Sequence, residues 1–312
     1  MTRRPKSRLP PKLADAVAAR VEPVTKAPSV RDRLKRDHVA GRSTRFGRDE
    51  IFGVMSQLVM GAPGPRFGLP PFPALDSARV QAAVTDVYGW KGDGPRARIA
   101  PSRTLDGFRS LTERVLEVAQ AGGRLAFATA RPASLLPVYR RLAHAAKHVG
   151  GDVLTAVDTT TTGPGALRVW WIDDVAVLTD QTSLLGRDDV EAAREVLFAL
   201  PRPDLFVGDR TFAGVALASG LEVAALADLD ALAFAVAAWQ GRSVRVAPLD
   251  DHRPPGAYLA LLEIVAELTS RREEAVDDLP NGLVLTTVNG EARGPVHGGT
   301  APVVVRESQT TP

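Results

Sequence analysis

The stretch Leu125-Ala126-Phe127-Ala128-Thr129-Ala130-Arg131-Pro132-Ala133-Ser134-Leu135-Leu136 decides the fold. Its first four residues form a continuous apolar run, as a strand buried on both faces requires. Polar character enters at Thr129 and Arg131, and Pro132 suits the first position of a helix, where its missing N–H costs nothing. The pattern continues down the chain. Short apolar runs recur at 153–157, 167–172, 175–178, 205–207, 223–226 and 244–247, and residues with helical spacing fill most gaps, at 135–149, 190–200, 212–218, 229–239 and 257–268. Strands that alternate with helices imply right-handed crossovers within a mostly parallel sheet. The predicted fold class is therefore α/β, a three-layer sandwich. Only Asp173 and Asp174 separate the runs at 167–172 and 175–178, which predicts one β-hairpin excursion.

Upstream of this core, Ile51, Met55, Leu58 and Val59 share one helical face, Asp76 or Ser77 opens a second helix to about Val87, and Ser102 or Thr104 a third that stops at Gly122-Gly123. The predicted organisation is a basic flexible extension over 1–48, then a single α/β domain over 49–272. That domain comprises a helical preface (49–122) and a Rossmann-like core (123–272). Residues 273–312, with their Asn-Gly, Gly-Pro and Gly-Gly pairs, read as a flexible C-terminal tail.

Hydrophobic residues make up 45% of the 312 and charged residues 24%, which excludes a disordered or coiled-coil chain. With no cysteine, thiolate chemistry, disulfides and cysteine-based zinc sites are excluded, so any metal must be held by carboxylate, imidazole or hydroxyl. The net charge of +3 conceals two opposed parts. Residues 1–48 hold 14 Lys and Arg against four Asp and Glu, leaving 25 basic against 32 acidic residues for the remainder. The body is acidic, so nucleic acid is excluded as a partner except through the basic arm. Arg3, Arg4 and Lys6 are not followed by an apolar run, and no stretch offers about 20 uninterrupted apolar residues, so the chain reads as cytoplasmic with no membrane partner.

In an open parallel sheet, ligands bind beyond the carboxyl ends of the strands. Four such segments carry polar chemistry. Thr129, Arg131 and Ser134 stand where a hydroxyl and a guanidinium beside a helix start make an anion cradle. Asp209 and Arg210 follow the run at 205–207, Asp228 and Asp230 the run at 223–226, and Asp250, Asp251 and His252 the run at 244–247. Asp209 there could hold a cation, accept a proton or cap a helix. Parallel topology would gather these acids along one edge, where carboxylates repel unless a cation or arginine neutralises them. Asp209, Asp228, Asp250 and Asp251 are the candidate metal ligands, with Asp209 and Asp228 also catalytic. Thr129, Arg131, Ser134 and Arg210 are the candidates for binding a phosphate. Magnesium or manganese suits such hard ligands, and iron or nickel only if His252 joins. No phosphate loop, Gly-x-Gly-x-x-Gly turn, nucleophile elbow or His-Glu-x-x-His helix is present. Asp158-Thr159-Thr160 has the first residue of an aspartyl-nucleophile motif but lacks its second aspartate.

Three segments, Phe127 to Leu136, Pro203 to Arg210 with Ala213-Gly214, and Val246 to His252, resemble a family of actinobacterial proteins named phosphatase. The resemblance runs from about Asp49 to Leu268 and implies a phosphate-ester site at the acidic edge. Members carry histidine where this chain has Arg131 and Arg210. Those positions therefore favour anion binding here, because guanidinium neither ligates cations nor exchanges protons near neutral pH. The leading expectation is a metal-assisted phosphomonoester hydrolase acting on a small phosphorylated molecule. The alternatives are a non-catalytic binder of a small anionic ligand derived from such an enzyme, and an adaptor acting through the basic arm.

Overall fold

The computed structural model describes residues 28–157, 159–160 and 167–277. In the core, the apolar runs become β3 (Arg124–Thr129), β4 (Asp152–Val153), β6 (Arg168–Ile172), β7 (Val175–Thr179), β8 (Leu205–Asp209), β9 (Val223–Ala227) and β10 (Val244–Pro248), with the two-residue β5 (Thr159–Thr160) beside β6. These eight strands make one sheet ordered β10-β9-β8-β3-β7-β6-β5, with β4 also pairing with β3. Every pairing is parallel except β7 with β6 and β6 with β5. The expected hairpin is the antiparallel β6–β7 pair. Asp173 and Asp174 both take positive φ in its two-residue turn, matching the right-handed twist of the strands.

Helices cover both faces. In one layer α4 (Pro101–Gln120), α5 (Pro132–His148) and α9 (Leu259–Asp277) pack together, and α6 (Val190–Ala199), α7 (Arg210–Ala218) and α8 (Leu232–Trp239) make the other. The residues of β7, β8 and β9 are buried throughout, which is why their sequences read as unbroken apolar runs. From β3 the chain winds outward through α5 to β7, then returns through α6 to β8 on the other flank of β3. The carboxyl ends of β3 and β8 therefore mark the switch point, where helices leave in opposite directions.

Three expectations change. The run at 153–157 contributes only Asp152–Val153 to the sheet. The preface contains α2 (Arg48–Val59) and α3 (Ser77–Tyr88), capped by Asp76, but also a strand, β2 (Arg96–Ile99). From Val30 the stretch expected to be a flexible extension is structured, as α1 (Val30–Arg36) and β1 (Gly41–Gly47), with β1 antiparallel to β2. Leu34 and Val39 are fully buried, and Arg33 pairs with Glu263 of α9. The sequence concealed this because β1 is Gly-Arg-Ser-Thr-Arg-Phe-Gly, whose charges suppress any apolar alternation. Residues 1–27 and 278–312, and Asp158 of the partial aspartyl motif, lie outside the described residues.

One close approach sets the geometry of the switch point. Phe67 adopts φ of 50° and its carbonyl oxygen presses on α7, where a Cβ on Gly214 would lie 2.0 Å from it. Only glycine admits that contact. Replacing Gly214 by Ala should therefore lower the unfolding free energy by about 1–3 kcal/mol, the usual range for overpacking. Urea denaturation measures it, and an unchanged midpoint would show that the loop moves aside freely.

Candidate functional site

Adjacent strand ends β10, β9, β8 and β3 bring together acids that are far apart in sequence. Asp209 ends β8, Asp228 follows β9, and Asp250 and Asp251 follow β10. All four are buried. At the switch point Thr129 Oγ1 donates to Asp209 Oδ2 at 2.5 Å, and the amide of Ala130 donates to Oδ1 at 2.7 Å. Both oxygens of Asp209 are thus engaged from β3. Burial pushes this carboxyl up to about 6, an effect the two donors only partly offset.

Arg210, the first residue of α7, is held at φ of 46°, a conformation that costs a non-glycine residue energy and persists only where surroundings enforce it. The surroundings here are acidic. Its Nε bonds Asp188 at 2.9 Å, and Nη1 reaches Asp230 at 2.9 Å and Asp251 at 3.3 Å. The guanidinium plane lies 4.8 Å from the ring centre of Phe67, the residue that presses on Gly214. Arg45, delivered by β1, places Nη1 at 3.0 Å from Asp228 Oδ2, 3.7 Å from Asp251 Oδ1 and against Nδ1 of His252. Arg253 bonds Asp250 through Nε at 2.9 Å.

Arg131 is the least engaged guanidinium of the group. Its Nη1 donates to the carbonyl of Ala130 at 2.9 Å, Nη2 stands 3.4 Å from Asp188, and the buried Nε makes no hydrogen bond. Ser134 sits in the first turn of α5, its amide bonded to the carbonyl of Arg131.

The electrostatics divide the acids. Burial, reinforced by repulsion from Asp251, Asp230 and Asp250, raises Asp228 well above the usual carboxylate range. Burial also opposes ionisation of Asp251, but His252, Arg210 and Arg131 outweigh it and hold that carboxyl below its ordinary value. Six aspartates (188, 209, 228, 230, 250 and 251), of which 209, 228, 250 and 251 are buried, thus stand against four arginines (45, 131, 210 and 253), with His252 beside Asp228 and Asp251.

Two sets of potential ligand atoms within 4.8 Å of one another occur among the described residues, Asp228 with Asp230 and Asp251, and Asp228 with Asp250 and His252. Asp228 is common to both. Asp209, expected to ligate, belongs to neither, and Arg210, expected to bind substrate, orders three carboxylates instead. Sequence reading passed over Arg45 and Asp188 and left Asp230 out of the ligand set. Asp230 had a readable signal, its place just after a strand, but Arg45 lay hidden in a charge-rich segment.

With this arrangement in view, comparison with known proteins is decisive for ancestry. The profile of a family described as Phosphatase matches residues 25–272. The chain belongs to this family. It is also 31% identical over 187 residues to a Streptomyces coelicolor protein named Phosphatase SCO2771, an alignment covering 57% of this chain and 70% of that one. The family match takes in α1 and β1, so the segment that supplies Arg45 lies within the matched region.

The pKa of Asp209 gives a pH test. A raised value means that the folded state keeps a proton the unfolded chain releases, so the contribution of Asp209 to stability is full below 3.8 and is lost as pH rises through about 6. Relative to an Asp209→Asn variant, the protein in chelator should lose on the order of 2–3 kcal/mol of unfolding free energy over that window. Urea titrations at several pH values measure the difference, and a constant offset would mean that the carboxyl titrates normally.

Proposed function

We propose that the protein is a metal-assisted phosphomonoesterase acting on a small phosphorylated molecule, with the rim at the carboxyl ends of β3, β8, β9 and β10 as its active site. The observation that carries the reading is the convergence of four buried aspartates, Asp209, Asp228, Asp250 and Asp251, at the strand ends. Such charge is costly in low dielectric, and it is relieved by protons on Asp209 and Asp228 or by one divalent cation.

The residues fit a hard cation. Asp228, Asp230 and Asp251 offer oxygens within 4.8 Å of one another, with Asp251 Oδ1 buried against Nδ1 of His252 and 3.7 Å from Arg45 Nη1. Magnesium or manganese suits an all-oxygen set, and His252 in the second set would admit a softer metal. When bound, the ion would polarise a phosphoryl oxygen and lower the pKa of a coordinated water. Arg45 and Arg210 keep the carboxylates in place. Arg131, whose Nε makes no hydrogen bond and stands 3.9 Å from Asp251, is the guanidinium least committed to the acids and would orient a phosphate oxygen. Asp209, poised at about 6 and fixed by Thr129, is able to hold or release a proton near neutral pH, a task the two arginines cannot perform.

A second reading, a non-catalytic binder of a small anionic ligand, is favoured by the permanent charge of Arg131 and Arg210. Metal-independent thermal stabilisation by a phosphorylated metabolite, without turnover, would support it. The enzyme reading predicts magnesium- or manganese-dependent hydrolysis of p-nitrophenyl phosphate that chelator abolishes. Asp251→Asn and Asp209→Asn should each lower kcat/KM by at least about 100-fold, in the range of lost acid–base or metal assistance, while circular dichroism stays unchanged. Unaltered turnover in either variant removes that residue from the site.

A further inference from the structure

A cavity of about 690 Å3 lies beside the acidic rim, between α1 and β1 on one side and β2 and the start of α4 on the other. Its lining reverses the charge of the acidic body. Lys35, Arg42, Arg96 and Arg98 face it, with Asp93 as the one acid. Arg42 and Arg98 stand directly opposite each other across the antiparallel β1–β2 pair. Like charges in that position destabilise a two-stranded ribbon. The local structure does not relieve them. Arg98 approaches Asp93 only to 4.0 Å, and among the described residues Arg42 and Lys35 make no ion pair.

Two further features favour an anion there. Ala100 and Pro101, at the start of the 20-residue α4, line the wall, and no side chain caps that helix, so the positive end of its dipole is open to the cavity. Ile99, Pro95 and Ala40 supply apolar surface beside the charges, as an organic ligand needs. The volume falls within the roughly 300–1,000 Å3 typical of small-molecule sites. A small pocket lined by Arg42, Ser43 and Ile99 of this cavity and by Asp228 and Asp250 of the rim lies between the two, but it encloses only about 10 Å3, room for about one water molecule. For any organic molecule the cavity is therefore separate from the rim.

We propose that this cavity is a second ligand site, which binds an organic phosphate of nucleotide size carrying several negative charges. The paired Arg42 and Arg98 clamp the phosphates, Lys35 and Arg96 add to the field, and the apolar wall takes the organic body. Binding here does not depend on hydrolysis at the rim.

The test is calorimetric titration of adenosine diphosphate into the full-length protein at low salt without divalent metal. Binding should weaken at least about tenfold in Arg42→Glu/Arg98→Glu, and less in Arg42→Gln/Arg98→Gln. It should fall as salt is raised and persist in Arg131→Gln, which alters the rim. Both arginines are exposed and repel each other, so neither variant should lower the melting temperature of the parent. No binding up to millimolar nucleotide, an affinity indifferent to charge reversal, or loss in Arg131→Gln with retention in the Arg42/Arg98 variants would each overturn the proposal.

Discussion

A buried carboxylate has lost its water and must find a counter-charge, a proton or a metal. At the rim formed by β3, β8, β9 and β10 that requirement governs four buried aspartates at once, and much of the surrounding structure answers it. Arg210 accepts a strained backbone at the first residue of α7 because three acids hold its side chain, and Phe67 braces it from below. Gly214 exists as a glycine so that Phe67 can stand there. Asp209 ties the end of β8 to the end of β3 across the switch point. The acidic cluster left after these pairings is the basis of the proposed cation chemistry.

The same requirement explains why the segment before Asp49 is integral to the domain. Arg45 on β1 reaches over the strand ends to Asp228 and Asp251, and without it the acids after β9 and β10 would have only each other as neighbours on that side. The strand that delivers Arg45 has a second face. There Arg42 meets Arg98 of β2, so the ribbon separates an acidic rim from a basic cavity. Acidic and basic surroundings thus stand a few residues apart on one strand.

How much of this was legible depended on the kind of signal. Val223 to Leu226 and Leu205 to Val207 announced buried parallel strands because sheets covered on both faces need apolar side chains in both directions. Asp173-Asp174 announced a turn because aspartate tolerates positive φ. Thr129, Arg131, Asp209, Asp228 and Asp251 could be nominated for the site from their position just after strands. β2 and β1 gave weaker signals, since Arg-Ala-Arg-Ile alternates over only four residues to bury Ala97 and Ile99, and Gly-Arg-Ser-Thr-Arg-Phe-Gly buries none of its residues fully.

The sequence by itself determined the α/β class, the order of strands and helices along the chain, and the supply of acids and arginines at the strand ends, because each is a local consequence of hydrophobic period and turn chemistry. Which acids meet which bases was decided only by the tertiary structure. Asp209 joined Thr129 rather than the ligand sets, Arg210 became an organiser of carboxylates, and Arg45 arrived from 183 residues away to pair with Asp228. Charge pairing depends on distance in space, and that distance is set by strand order in the sheet, which no local pattern of residues encodes.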